Sequence, residues 1–217
     1  MYYLITGGAG SGKSEYAEAL AVSLAKSEEV NSLYYIATMF PYDDPDTKKR
    51  IERHRSLRAG KGFVTIERPL DIGRVMGEIS GIREKSGFIR KRRNPEKGRI
   101  SLDDEKTVIH CDHIGGGSFH EDNCLSDAVV LIEDLTNLYA NECYETDGHP
   151  HDITGPLREL ASCVRALIVV SNELYSDGTQ YSEETMGFLK GLSFINREIA
   201  EAADQVVEVV AGIPVLI

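Results

Sequence analysis

No apolar run in this 217-residue chain approaches the ~18 residues that a membrane-spanning helix needs, so no membrane span is expected. Met1 stands almost directly before the first β-rich run, which leaves no room for a secretory leader, and a cytoplasmic location is expected. The cysteines Cys111, Cys124, Cys143 and Cys163 are scattered and form no C-x-x-C pair. Reduced thiols are the plain reading, rather than a disulfide framework. Positive charge is also short. Lys and Arg number 24 against 35 Asp and Glu, a net charge of −11 that argues against a protein coating nucleic acid. No internal repeat is visible. What remains is an ordinary soluble composition, 41% hydrophobic and 27% charged, sufficient for one good core. A single domain over residues 1–217 is expected.

The most informative stretch is Gly7-Gly8-Ala9-Gly10-Ser11-Gly12-Lys13-Ser14. It satisfies the phosphate-loop pattern G-x-x-x-x-G-K-[ST] without substitution. The β-rich run Tyr2 to Thr6 precedes it, and an amphipathic pattern from Glu15 to Lys26 follows. Small residues between a strand and a helix let backbone N–H groups turn inward around phosphate oxygens, and the helix N-terminus adds partial positive charge. Lys13 is then placed for the β/γ-phosphates and the Ser14 hydroxyl for Mg²⁺. The implied ligand is a nucleoside triphosphate.

Further along, Ser32–Thr38, Ala128–Ile132 and Ala166–Val170 are apolar runs that read as buried parallel strands, with a short β-like piece at Phe63–Ile66. Asp44 before Pro45 reads as an N-cap with proline at the first helical position, starting a helix to about Leu57. Ile51, His54 and Arg58 then share one face. Helices are also predicted at Pro69–Ile79, Leu135–Tyr144, Pro156–Val164 and, capped by Ser182, Glu183–Ala203. The last of these carries an apolar stripe of Leu189, Leu192, Ile195, Ile199 and Ala202. Val206–Val210 and Ile213–Ile217 around Ala211-Gly212 predict a terminal hairpin. Residues from about 81 to 127 break this rhythm: a basic stretch, Arg83 to Arg99, precedes Asp103-Asp104-Glu105, a short β-like Thr107–His110 and a glycine run. This segment reads as an insertion, a solvated hairpin outside the core sheet. Its His110, Cys111, His113, His120 and Cys124 do not follow a standard zinc spacing. The predicted fold class is α/β: a P-loop NTPase with a doubly wound, mostly parallel sheet, a C-terminal hairpin and an inserted segment.

Ligands of such sheets bind at the carboxyl ends of the strands. Glu133-Asp134 ends one strand, where an acid would hold Mg²⁺ directly or through water, or else cap the next helix. Ser171-Asn172-Glu173 ends another. His54 lies among Arg50, Arg53, Arg55 and Arg58. Nearby cations lower a histidine's pKa and keep it nucleophilic, although a solvated residue on a basic helix would look the same.

The chain resembles the bifunctional adenosylcobinamide kinase/adenosylcobinamide-phosphate guanylyltransferases of cobalamin biosynthesis. The likeness runs through Ile5–Ala21, Tyr34–Thr38, Arg50–Ile72, Val129–Asn141, Ile168–Glu173 and Phe188–Val215. It implies a transferase with two reactions: phosphorylation of the aminopropanol hydroxyl of adenosylcobinamide by ATP or GTP, then GMP transfer from GTP to that phosphate. The guanylyl group would pass through a phosphoramidate on His54, with Lys13 in the catalytic set and Arg55 and Arg58 on the nucleotide's phosphate or guanine. Glu133 would join Gly7 to Ser14 in binding nucleotide, and Ser14, Glu133 and Asp134 would hold Mg²⁺. The resemblance also implies a homotrimer with His54 near a neighbouring subunit. Four departures from the family pattern stand out: Gly10 replaces an arginine, Arg58 to Phe63 (RAGKGF) lacks the proline and tryptophan of R-P-x-x-W, Leu174 to Gly178 replaces a V-G-x-G-I-V-P loop, and Ser193-Phe194 replaces Gly-Arg. They keep two alternatives open, a non-catalytic nucleotide-binding relative and a P-loop kinase of another small alcohol.

Overall fold

The computed structural model describes residues 1–27, 30, 32–85, 108–109, 125–174 and 178–217. The strands β1 (Tyr2–Thr6), β2 (Ser32–Ala37), β3 (Val64–Glu67), β4 (Val108–Ile109), β5 (Leu125–Glu133), β6 (Val164–Val170), β7 (Gln205–Val210) and β8 (Ile213–Leu216) form one sheet. Their order is β4-β3-β2-β5-β6-β1-β7-β8, parallel throughout except for the antiparallel β7–β8 pair. The α/β, mostly parallel sheet with a terminal hairpin predicted from the sequence is therefore present.

Alternation along β1 divides the core. Tyr2 and Leu4 face the side covered by α3 (Val75–Lys85), α4 (Leu135–Tyr144), α5 (Thr154–Cys163) and α6 (Glu183–Ala202). Tyr3 and Ile5 face the side covered by α1 (Lys13–Ser27), whose Ala17 and Ala21 let it lie close to the strands. Central strands β5 and β6 are buried on both faces, hence their near-continuous aliphatic sequences. The α6 stripe packs through Leu192, Ile195 and Ile199, while Leu189 is only half-buried and Ala202 is exposed.

Helix α2 (Pro45–Arg58) starts as its sequence predicts, with Asp44 accepting hydrogen bonds from the N–H groups of Asp46 and Thr47. The helix predicted from Pro69 begins later, as a short 3-10 turn at Ile72–Arg74 that leads into α3. Asp71 causes the delay: its φ is 53° and its N–H donates to the Glu142 carboxylate at 2.6 Å, so it cannot continue a helix.

The stretch expected to stand apart at about 81–127 is continuous with the core at three points, two of them in the sheet. α3 continues to Lys85, β5 begins at Leu125, and Val108–Ile109 pairs in parallel with Thr65–Ile66 on the sheet edge. A reading in which all of it lies outside the sheet is corrected by that strand. Its cysteine and histidine cluster and most of its basic run lie outside the described residues. Among the described residues no helix is long and apolar enough to cross a membrane.

At the far edge, β8 exposes Ile213, Val215 and Leu216, and Ile217 beyond it is also exposed. The N–H of Ile217 donates to the Val206 carbonyl at 3.0 Å, which fixes the hairpin's hydrogen-bonding phase.

Candidate active site

The phosphate loop bridges β1 and α1 and is held by its own backbone and by two neighbouring strand ends. Ser11 N–H donates to the Gly8 carbonyl at 3.2 Å, and Glu173 N–H, just past β6, donates to the Gly7 carbonyl at 3.0 Å. From the β7–β8 turn, Gly212 N–H donates to the Ser11 carbonyl at 2.8 Å. Gly7 is required by close approach: a Cβ there would lie 2.5 Å from the Val209 carbonyl oxygen and 2.7 Å from Ser11 Oγ. Gly8 is half-buried, and Ala9 and Gly10 form the exposed tip of the loop, with Gly10 at a φ of 70°. Gly12 leads into the first turn of α1, where Lys13 is buried and its ammonium donates to the Gly8 carbonyl at 3.1 Å.

Ser14, one residue further, reaches across to the end of β5. Its hydroxyl donates to Glu133 Oε1 at 2.6 Å. The other carboxylate oxygen, Oε2, is buried with no hydrogen-bond partner. Burial, then the neighbouring Asp134 charge, push Glu133 up to about 8, against the lowering pull of the Ser14 hydrogen bond and Lys13. An orphaned carboxylate oxygen beside a hydroxyl is a set of hard oxygen donors that suits Mg²⁺, whose charge would restore the carboxylate. The residues fit the ion.

Asp134 is used differently. Its Oδ1 accepts from Asn137 N–H at 2.6 Å, which caps α4. Thr38 clamps its backbone, with Oγ1 donating to the Asp134 carbonyl at 2.7 Å and accepting from its N–H at 2.8 Å. Of the two acids at this strand end, one faces the phosphate loop and the other begins a helix. Burial raises the Asp134 pKa as well.

A cleft of about 160 Å³ opens beside these acids. Its walls include Glu133, Asp134 and Asn137 from the β5–α4 junction and Arg50, Ile51, His54 and Arg58 from α2. The shared face predicted for Ile51, His54 and Arg58 thus looks into one cavity with Glu133. His54 is half-buried and its pKa lies below the ordinary histidine value, from burial first and then from Arg58, Arg50 and Arg53. Arg58 is buried, with its guanidinium 3.8 Å over the centroid of the Tyr35 ring and its Nε without a partner. Arg55 is outside the cleft wall and pairs with Glu67.

Three neighbours were not singled out from the sequence: Tyr35, the platform under Arg58; Phe63, which packs edge-on against Tyr35 at 5.7 Å; and Glu67, the partner of Arg55. Glu67 sits in the Arg50–Ile72 stretch that carries the resemblance, so a signal was present. Tyr35 looked like any buried strand residue. Ser193 and Phe194 lie elsewhere, in a second groove of about 420 Å³ with Leu174 and Gly178. Residues 175–177 of the altered loop lie outside the described residues. Asn172 donates its N–H and its side-chain amide to Thr136 Oγ1, both at 3.0 Å, and its side chain also hydrogen-bonds Asp134, which ties the β6 end to the first turn of α4.

Residues 3–87 and 116–217 match the model of the family described as cobinamide kinase / cobinamide phosphate guanyltransferase. The gap in that match falls inside the inserted stretch. No curated protein matches the chain. Among solved structures, a KaiC-like protein from the hyperthermophilic archaeon Pyrococcus horikoshii is similar at 10% identity and a TM-score of 0.42, over 95% of this chain and 69% of that one. The flagellar accessory protein FlaH from Methanocaldococcus jannaschii is similar at 13% identity and a TM-score of 0.38, over 95% of this chain and 70% of that one.

Proposed function

The chain belongs to the cobinamide kinase / cobinamide phosphate guanyltransferase family, and from that premise we propose that it phosphorylates adenosylcobinamide and then transfers GMP to the product through a guanylyl-histidine at His54. The observation that carries this reading is that His54 shares one cleft with Glu133, which is itself hydrogen-bonded to Ser14 of the phosphate loop.

In the guanylyl step the lone pair of a neutral His54 ring nitrogen attacks the α-phosphorus of GTP. A P–N bond forms, the P–O bond to the β-phosphate breaks, and pyrophosphate leaves with the bonding electrons. The acceptor's phosphate oxygen then attacks the same phosphorus and the imidazole leaves. The lowered pKa of His54 favours the neutral form that this attack requires. Lys13 and the phosphate-loop N–H groups hold the departing pyrophosphate, and Arg50 and Arg58 supply positive charge along the cleft. In the kinase step the same loop holds the triphosphate as the acceptor hydroxyl attacks the γ-phosphorus: the new P–O bond forms, the P–O bond to the β-phosphate breaks, the nucleoside diphosphate leaves with the bonding electrons, and the hydroxyl proton passes to solvent. Mg²⁺, held by Ser14 and Glu133, would neutralise charge on the transferring group.

The test is incubation with GTP labelled at the α-phosphate, followed by a search for an acid-labile, base-stable covalent label. Wild type should carry the label and His54→Ala should not. An unlabelled wild type, or equal label on His54→Ala, removes the mechanism. A second reading, kinase action on another small alcohol, draws on Ser193 and Phe194 in the separate groove, where the family has Gly-Arg. Phosphorylation of such an alcohol without turnover of adenosylcobinamide would establish it instead.

A further inference from the structure

Helix α2 carries the proposed nucleophile, yet it lacks what usually fastens a helix to a domain. Its sequence, Pro45 to Arg58, is dominated by Lys48, Lys49, Arg50, Arg53, Arg55 and Arg58 and has no apolar stripe. Among its described side chains only Arg58 is buried. Among the described residues, then, little apolar surface is buried to seat α2, and its own cations repel one another.

Three polar contacts near its C-terminal end take that role. Arg58 stacks on Tyr35, Arg55 pairs with Glu67, and Lys61, in the turn after the helix, donates to Glu18 Oε2 at 2.6 Å. The third differs in its partner. Tyr35 and Glu67 belong to strands, whereas Glu18 lies on α1, the helix whose first residues are Lys13 and Ser14. Among the described residues this is the ion pair that joins the phosphate-loop helix to the His54 segment. Its burial is lopsided: the Glu18 side chain is 6% exposed and that of Lys61 38%. A carboxylate so enclosed is costly to leave without its cation, so the pair holds more firmly than a surface ion pair.

We infer that Glu18 and Lys61 are positioning residues: their ion pair fixes the end of α2 against the phosphate-loop helix and so sets where His54 stands relative to the bound triphosphate. The inference rests on the role proposed for His54. Attack at phosphorus needs the ring nitrogen about 3–3.5 Å from its target, and a displacement of about 1 Å lowers such a rate by about 100-fold. Lys61 itself touches neither the cleft nor the phosphate loop.

The test compares wild type, Lys61→Met, Lys61→Arg and Glu18→Gln by two readouts. In the first, the rate of His54 labelling at saturating GTP should fall about 10- to 100-fold in Lys61→Met. GDP affinity by calorimetry should stay within about 2-fold, and Lys61→Arg should recover most of the rate. In the second, amide hydrogen exchange over residues 45–58 should accelerate in Lys61→Met and Glu18→Gln while exchange in β1, β5 and β6 is unchanged. Labelling within about 2-fold of wild type, or unaltered exchange across α2, overturns the inference. An unlabelled wild type would instead remove the histidine mechanism, and the exchange comparison would still decide whether the pair seats α2.

Discussion

The phosphate loop and helix α2 face each other across one cleft and are built on opposite terms. The loop is fixed by backbone hydrogen bonds to Glu173 and Gly212 and sits on a strand buried on both faces. Helix α2 is fixed by charged side chains and is solvated along most of its length. The difference separates two demands on the site. Phosphate binding needs N–H groups that do not move, whereas the chemistry proposed for His54 needs its ring held in place by side-chain contacts at the end of α2.

Changes on the loop side should cost binding or global stability, and changes on the helix side should cost rate with the fold intact. The largest effect is expected for Lys13→Ala, which removes the charge proposed to meet the phosphates: GTP affinity, and with it labelling at a fixed low GTP concentration, should fall about 100-fold or more. Next is Gly7→Ala, whose new Cβ meets the Val209 carbonyl oxygen and Ser11 Oγ. It should destabilise the fold by about 1–3 kcal/mol, read by denaturant unfolding. Thr38→Val removes both hydrogen bonds to the Asp134 backbone and should cost about 1–3 kcal/mol in the same assay, with β5 and α4 loosening together.

Smaller effects test the helix side. With its pKa held below the ordinary value, His54 stays neutral to lower pH than a free histidine, so labelling should hold as pH falls through the usual histidine range and drop only below it. Arg53→Gln and Arg50→Gln each remove a charge that lowers this pKa, and should move the drop upward; the ring's NMR titration checks the direction. The smallest is Asp44→Ala. Loss of the cap should weaken the first turn of α2 by about 0.5–2 kcal/mol, seen as faster exchange over residues 45–48 with an unchanged melting temperature.

The loop side was legible in the sequence because its information is local. The eight residues from Gly7 to Ser14 carry glycines, a lysine and a serine at fixed spacing, and strand and helix patterns flank them. Asp44-Pro45 announced the start of α2 for the same reason, and the 3.6-residue period placed Ile51, His54 and Arg58 together. Contacts across the chain were not legible. Nothing in Glu18 or Lys61 names the other at a sequence separation of 43, and Tyr35 reads as a strand residue until Arg58 is found lying on it. The Glu133-Asp134 pair was half legible: acids were expected at that strand end, but which one turned to Ser14 and which capped α4 depended on backbone direction. Helix α3 started late because a single left-handed residue, Asp71, is invisible to a periodicity argument.

The hydrogen-bonding phase of the terminal hairpin has a consequence for how copies of this chain can meet. With Ile217 donating inward to Val206, the N–H groups of Ile213 and Val215 also point into the sheet, and those of residues 214 and 216 point out. Residue 214 is proline and has no N–H to offer, so Leu216 is the lone outward donor along β8. An incoming strand would find carbonyls without the donors that a ladder alternates with them. The apolar side chains of β8 are therefore open to packing by their faces, while the strand itself is a poor template for polymerising the sheet.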